Sequence, residues 1–90
     1  MTLLGFFLIE IYTTFTCPYC GAAKRLLSAR GYNYSEINIE TIGLDRNDLQ
    51  KKTGGRTVPQ IVIDGKSIGG YEELAYLDST GDLKKLVSIR

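Results

Sequence analysis

The stretch Thr14–Gly21, T-F-T-C-P-Y-C-G, contains both cysteines of this 90-residue chain, Cys17 and Cys20. Two thiols separated by two residues can share a metal ion, form a structural staple or exchange electrons. The chain has no histidine. A closed zinc site needs four ligands, usually thiolates and imidazoles, so it would have to recruit carboxylates or a second chain. A bridge across so short a loop constrains little of the unfolded chain, which weakens the staple. Redox exchange is left as the reading to develop.

The surroundings of the pair favour it. Phe6 to Thr13, just upstream, is rich in aromatic and β-branched residues and predicts a buried strand. Pro18 suits the first turn of a helix, where its missing N–H costs nothing. A Cys-x-x-Cys at a strand-to-helix junction is the setting of a thioredoxin-like redox motif. The position also assigns roles. Cys17, at or just before the first helical residue, meets unpaired N–H groups and the positive end of the helix dipole, and is expected to be the nucleophilic thiolate. Cys20, one turn further in, is expected to have its own N–H engaged in the helix, to be shielded, and to resolve the mixed disulfide formed at Cys17. The dipole alone is too weak to explain an acidic thiol. Lowering a thiol from about 8.5 to about 5 takes roughly 5 kcal/mol, whereas a helix terminus supplies about 0.3–2 kcal/mol. Hydrogen bonds from backbone N–H groups or from the Thr16 hydroxyl are expected to supply much of the rest.

Bulk properties narrow the alternatives. A content of 43% hydrophobic and 23% charged residues is that of an ordinary soluble protein, and the length predicts a single domain over residues 1–90. Eleven basic against 10 acidic residues give a net charge of +1. With no Lys/Arg run, nothing supports nucleic-acid binding. The apolar run Leu3–Ile9 lacks a positive leading region and a small-residue cleavage site. Glu10 interrupts it far short of the about 20 apolar residues of a membrane span. It reads as the lead into the first strand, with no membrane association and a cytoplasmic location expected. In that compartment a lone Cys-x-x-Cys is more often catalytic than structural.

Along the rest of the chain, Ala22, Ala23, Leu26 and Leu27 form an apolar stripe on a helix that Gly31 stops. Tyr34 to Ile39 predicts a second strand, with Tyr34, Ile37 and Ile39 as core candidates. Strand, helix, strand in this order usually makes a parallel crossover. A helix capped by Asp45 is expected to run to Thr53 and end at Gly54–Gly55. Gln60–Asp64 and Lys66–Ile68 flank Asp64–Gly65, a type I′ hairpin signal. Gly69–Gly70 opens a third helix with Leu74, Ala75 and Leu77 apolar, and Asp82 is the expected cap of a last short helix through Leu86 and Val87. This order implies a small mixed sheet covered by helices.

Three motifs together, C-P-Y-C at 17–20, T-V-P at 57–59 and G-G-Y-E-E at 69–73, resemble the dithiol glutaredoxins over nearly the whole chain. The resemblance implies an α/β, thioredoxin-like fold: a small mixed four-stranded sheet flanked by helices. It implies a monomeric thiol–disulfide oxidoreductase that reduces protein disulfides and glutathione mixed disulfides. Glutathione is its co-substrate and partner, no cofactor is tightly bound, and ribonucleotide reductase is an example of a protein partner.

It also implies a glutathione site. By sequence alone the Val58–Pro59 bond carries only about a 5–6% prior for cis, and a trans proline at a strand start is the plain alternative. In the family this proline is cis and faces the active cysteine, which leaves the N–H and C=O of Val58, after Thr57, to pair with the cysteinyl backbone of glutathione. Gly69–Gly70 could be no more than a tight turn. In the family the following helix start presents the N–H groups of Tyr71 and Glu72 to the γ-glutamyl carboxylate, although relatives often carry Asp or Ser at the position of Glu72. Arg46 stands where relatives have Gln or Arg near the glycine carboxylate, with Arg56 ten residues on. Thr16 and Tyr19 flank the groove, although Tyr19 could simply shield the disulfide. Many relatives have a lysine where this chain has Thr14, so a less acidic Cys17 and weaker glutathione binding are expected.

Two other functions remain open at this point. One is a glutathione-independent, thioredoxin-like electron donor of the kind that serves ribonucleotide reductase. The other is a carrier of a [2Fe–2S] cluster bridged by Cys17 and glutathione across a dimer. Pro18 counts against the carrier, and the absence of tryptophan counts against ordinary thioredoxin with its W-C-G-P-C motif. The glycine pair and Arg46 favour the glutathione-dependent enzyme.

Overall fold

The computed structural model describes residues 8–87. The sequence-based expectations for Phe6 and Phe7, and for the apolar lead before them, lie outside the described residues. Eight elements follow one another: β1 (Ile9–Thr13), α1 (Pro18–Ala29), β2 (Ser35–Asn38), α2 (Arg46–Thr53), β3 (Gln60–Ile63), β4 (Lys66–Gly69), α3 (Tyr71–Thr80) and α4 (Asp82–Val87). The sheet has the order β2-β1-β3-β4. β1 pairs parallel with β2 and antiparallel with β3, and β3 pairs antiparallel with β4. This is the expected mixed four-stranded sheet.

Side-chain alternation on β1 explains its place. Ile9, Ile11 and Thr13 are buried, while Glu10 and Tyr12 are only half-buried. The period of two sends the first set to one face of the sheet. There Ile9 and Ile11 join Ile61 and Ile63 of β3, Ala23 and Leu27 of α1, Leu74 of α3, and Leu83 and Val87 of α4 in one core. Each isoleucine, leucine or valine among them contributes about 1.5–3 kcal/mol by leaving water. α2 packs against β3, with Leu49 fully buried. A bidentate pair ties the C-cap of α1 to α3: Arg30 Nε and Nη2 donate to the two Asp78 oxygens at 2.8 and 2.7 Å. That pairing holds the Asp78 carboxyl below its ordinary pKa. No helix among the described residues is long and apolar enough to cross a membrane.

The turns follow from local chemistry. Asp45 caps α2 by accepting the Asp48 N–H, and Asp48 returns the bond to the Asp45 N–H. Gly54 ends the helix with φ +88°. Asp64 and Gly65 both have positive φ, 51° and 82°, as a type I′ hairpin requires. Two boundaries differ from expectation. β2 is shorter than predicted: Tyr34 and Ile39 flank it, and Ile39 alone of the three core candidates is fully buried. Asp82 is the first residue of α4 rather than its cap, and its N–H is held by the Thr80 hydroxyl.

Candidate active site

Cys17 is the N-cap of α1, in extended conformation at φ −151°, and Pro18 opens the helix. The chain reaches this point directly from the end of β1, which is fixed on both sides. The Ile39 N–H bonds the Thr13 carbonyl at 2.9 Å, and Tyr12 pairs with Gln60 of β3. The cysteines form a disulfide with Cα atoms 5.2 Å apart. Their environments are unequal. Cys17 is partly exposed, whereas Cys20 is 2% exposed and faces inward.

The hydrogen bond on the Cys17 sulfur comes from the N–H of Cys20, at 3.1 Å. This corrects the expectation that the Cys20 N–H would be spent inside the helix. At an N-cap, the N–H three residues on is one of the orphan donors, and the capping side chain takes it. The Thr16 hydroxyl is exposed and makes no bond to either sulfur among the described residues. Lys24 is not a counter-ion for Cys17. Its ammonium lies 3.1 and 3.2 Å from the two oxygens of Glu36, and Glu36 also accepts the buried Thr13 hydroxyl at 2.7 Å. The Thr13 bond foremost, and then Lys24, hold the Glu36 carboxyl below its ordinary pKa. Arg25, by contrast, folds back along α1: its Nη1 lies 3.3 Å from where a Cβ on Gly21 would stand. A larger residue at 21 would crowd it.

A pocket of about 360 Å³ adjoins the Cys-x-x-Cys turn through Tyr19. One wall is Tyr19 from the first turn of α1, whose ring stacks on Tyr71 with centroids 5.9 Å apart. The floor is Thr57, Val58 and Pro59, the segment that leads into β3. The Val58–Pro59 peptide is cis and Pro59 is buried. Val58 N–H and C=O have no hydrogen-bond partner among the described residues. The far side is the start of α3, with Gly70, Glu72 and Glu73. Gly70 comes so close to the floor that a Cβ there would lie 3.2 Å from the Pro59 carbonyl oxygen.

Seven of the residues singled out from the sequence therefore meet here: Tyr19, Thr57, Val58, Pro59, Gly70, Tyr71 and Glu72. Thr16 and Arg46 do not line the pocket. Arg46 donates through Nη1 to the Arg56 carbonyl at 3.0 Å, which places it next to Thr57 and outside the wall. The Arg56 guanidinium is bonded to Asn47 and Gln50.

Two residues were not anticipated. Glu73 accepts the Gly70 N–H at 2.8 Å, which closes the first turn of α3 and leaves the N–H groups of Tyr71 and Glu72 for the pocket. Its signal was legible as an acid three residues after a helix cap. Gln60, 5% exposed, donates to the Thr57 carbonyl at 2.9 Å and fixes the floor. A glutamine leading the apolar run Q-I-V-I is the sequence trace of that role.

A thioredoxin-like sheet with a Cys-x-x-Cys at the junction of β1 and α1 defines a thiol–disulfide oxidoreductase. The chain belongs to the glutaredoxin family, whose model, Glutaredoxin, matches residues 9–68. It is 46% identical over 79 residues to glutaredoxin 3 of Escherichia coli strain K12, covering 88% of this chain and 95% of that one. Among solved structures, the holo form of glutaredoxin C1 from Populus tremula x tremuloides superposes with a TM-score of 0.81 at 28% identity, covering 88% of this chain and 81% of the other. A buckwheat glutaredoxin–glutathione complex gives 0.80 at 27% identity, covering 89% and 76%.

Proposed function

We propose that this protein uses glutathione to reduce glutathione mixed disulfides and protein disulfides, with Cys17 as nucleophile and Cys20 as resolving thiol. The observation that carries this reading is the pocket walled by Tyr19 of the C-P-Y-C turn, which joins an unpaired stretch of backbone to a helix start. In it, Val58 offers one N–H and one C=O to the cysteinyl backbone of glutathione, as a single added strand residue. The N–H groups of Tyr71 and Glu72 take the γ-glutamyl carboxylate at the positive end of α3. The ring of Tyr19 covers the tripeptide, and Arg46, freed from its bond to Arg56, reaches the glycine carboxylate. Thr16 and Thr57 border the groove.

In the reaction the Cys17 thiolate attacks the glutathione sulfur of a mixed disulfide. The substrate sulfur leaves as a thiolate and takes up a proton, and Cys17 holds the glutathione. A second glutathione thiolate then attacks the glutathione sulfur of that adduct, releases Cys17 and leaves as glutathione disulfide. With a protein disulfide, Cys17 attacks one sulfur and the other leaves. Cys20 then attacks Cys17 to form the intramolecular disulfide and release the reduced partner. The protein acts as a single-domain monomer in the cytoplasm, and disulfides such as that of ribonucleotide reductase are among its targets.

The electron source tests the reading. With glutathione and glutathione reductase as the only reductant, a glutathione mixed disulfide should turn over robustly. Turnover with thioredoxin reductase alone, and none with glutathione, would contradict it.

A further inference from the structure

Two large apolar side chains next to Cys17 stand out into solvent, Phe15 at 75% exposure and Tyr19 at 64%. Tyr19 stacks on Tyr71 and walls the pocket. Phe15 has no such place, yet its backbone is held. Its N–H donates to Glu40 Oε1 at 2.8 Å, and Glu40 lies two residues past the end of β2. In the sheet β2 and β3 flank β1 on opposite sides. Phe15 is thus anchored to the β2 side of the β1 terminus, while the floor of the pocket, Val58–Pro59, leads into β3. Ile42, two residues past Glu40, adds a second exposed apolar side chain to the loop that carries this anchor, at 59%.

Geometry dictates what meets Phe15 in a mixed disulfide. A disulfide sets the two Cα atoms about 4.4–6.8 Å apart. The residues beside a partner's cysteine therefore lie over the residues beside Cys17. An extended partner advances about 3.3 Å per residue, so its first or second neighbour to the cysteine reaches Phe15. We infer that Phe15, supported by Ile42, is a docking residue for protein substrates. The occupant is an extended segment of a partner polypeptide that carries an apolar residue beside its reactive cysteine. The inference rests on the redox reading above and specifies the substrate class. The exchange is unchanged: the Cys17 thiolate bonds one partner sulfur, the other leaves as thiolate and is protonated, and Cys20 then displaces the first. The reduced dithiol loses two electrons and two protons, the partner disulfide gains them, and glutathione restores the dithiol. A glutathione adduct on the β3 side does not use Phe15.

The test uses two disulfide peptides that differ only in having leucine or serine beside the cysteine, together with a cysteine–glutathione mixed disulfide. The wild-type protein should favour the leucine peptide by about fivefold in kcat/KM, the scale of one partly buried apolar side chain. Phe15→Ser should abolish that preference without altering the mixed-disulfide rate or the melting temperature, and Phe15→Leu should restore most of it. Equal wild-type rates on the two peptides would overturn the inference. So would a preference that persists in the Phe15→Ser/Ile42→Ser double variant, or wild-type turnover of the mixed disulfide with none of either peptide. If the wild type turns over none of the three substrates, the redox reading itself fails and this inference falls with it.

Discussion

Gly70 and Pro59 meet across the pocket at a distance that makes a side chain a tight fit: a Cβ on Gly70 would stand 3.2 Å from the Pro59 carbonyl oxygen. The backbone of Gly70 is at φ −98°, a conformation open to any residue, so contact rather than conformation selects glycine there. Gly70→Ala should push the start of α3 away from the floor by a few tenths of an ångström. The expected result is a KM for a glutathione mixed disulfide raised about three- to tenfold, with kcat nearly unchanged. Stability should fall by less than about 1 kcal/mol. An unchanged KM would show that the glutathione moiety does not bridge these two elements.

The charge around Cys17 gives a second prediction. Its sulfur has the Cys20 N–H as a donor, and the nearby Lys24 is already held by Glu36. A lysine at position 14 would add an uncommitted cation at the end of β1. In the reduced protein, Thr14→Lys should move the ultraviolet thiolate titration to lower pH and lower the KM for a glutathione adduct. A titration that superposes on the wild type would refute the electrostatic account.

Acid stability should depend on the cluster of Thr13, Glu36 and Lys24. The Glu36 carboxyl is held below its ordinary value of 4.5, first by the Thr13 hydroxyl. A depressed carboxyl stabilises the fold above its unfolded pKa, and the contribution is lost as pH falls through the folded value. Thr13 is fully buried, so Thr13→Val removes the bond with little change in shape. Near pH 7 it should cost about 1 kcal/mol, and the difference from wild type should vanish well below pH 4.5. Denaturant melts at the two pH values check this, and a cost that stays constant into acid would contradict it.

How much of this could be read from the sequence depended on how local each cause is. The Asp45 helix cap, the Asp64–Gly65 hairpin and the Cys17 helix start depend on neighbours within a few residues, and all three are where the pattern put them. The T-V-P and G-G-Y motifs are separated by nine residues, yet they meet at one pocket through the fold that the family resemblance implied. What stayed hidden depends on tertiary partners. The reach of Lys24 to Glu36, the anchoring of Phe15 by Glu40 and the support of Thr57 by Gln60 are choices among several polar partners. No periodicity encodes such choices. The ends of β2, with Tyr34 and Ile39 outside it, likewise depend on tertiary partners rather than on the local pattern.

The most direct test of the central claim is a map of the glutathione adduct. Cys20→Ser, treated with oxidised glutathione, should form a one-to-one mixed disulfide at Cys17. Amide shifts between the free and adducted protein, measured by NMR, should then concentrate at Val58, Tyr71 and Glu72. An adduct that fails to form at Cys17, or shifts that leave Val58 and the start of α3 unmoved, would contradict the account.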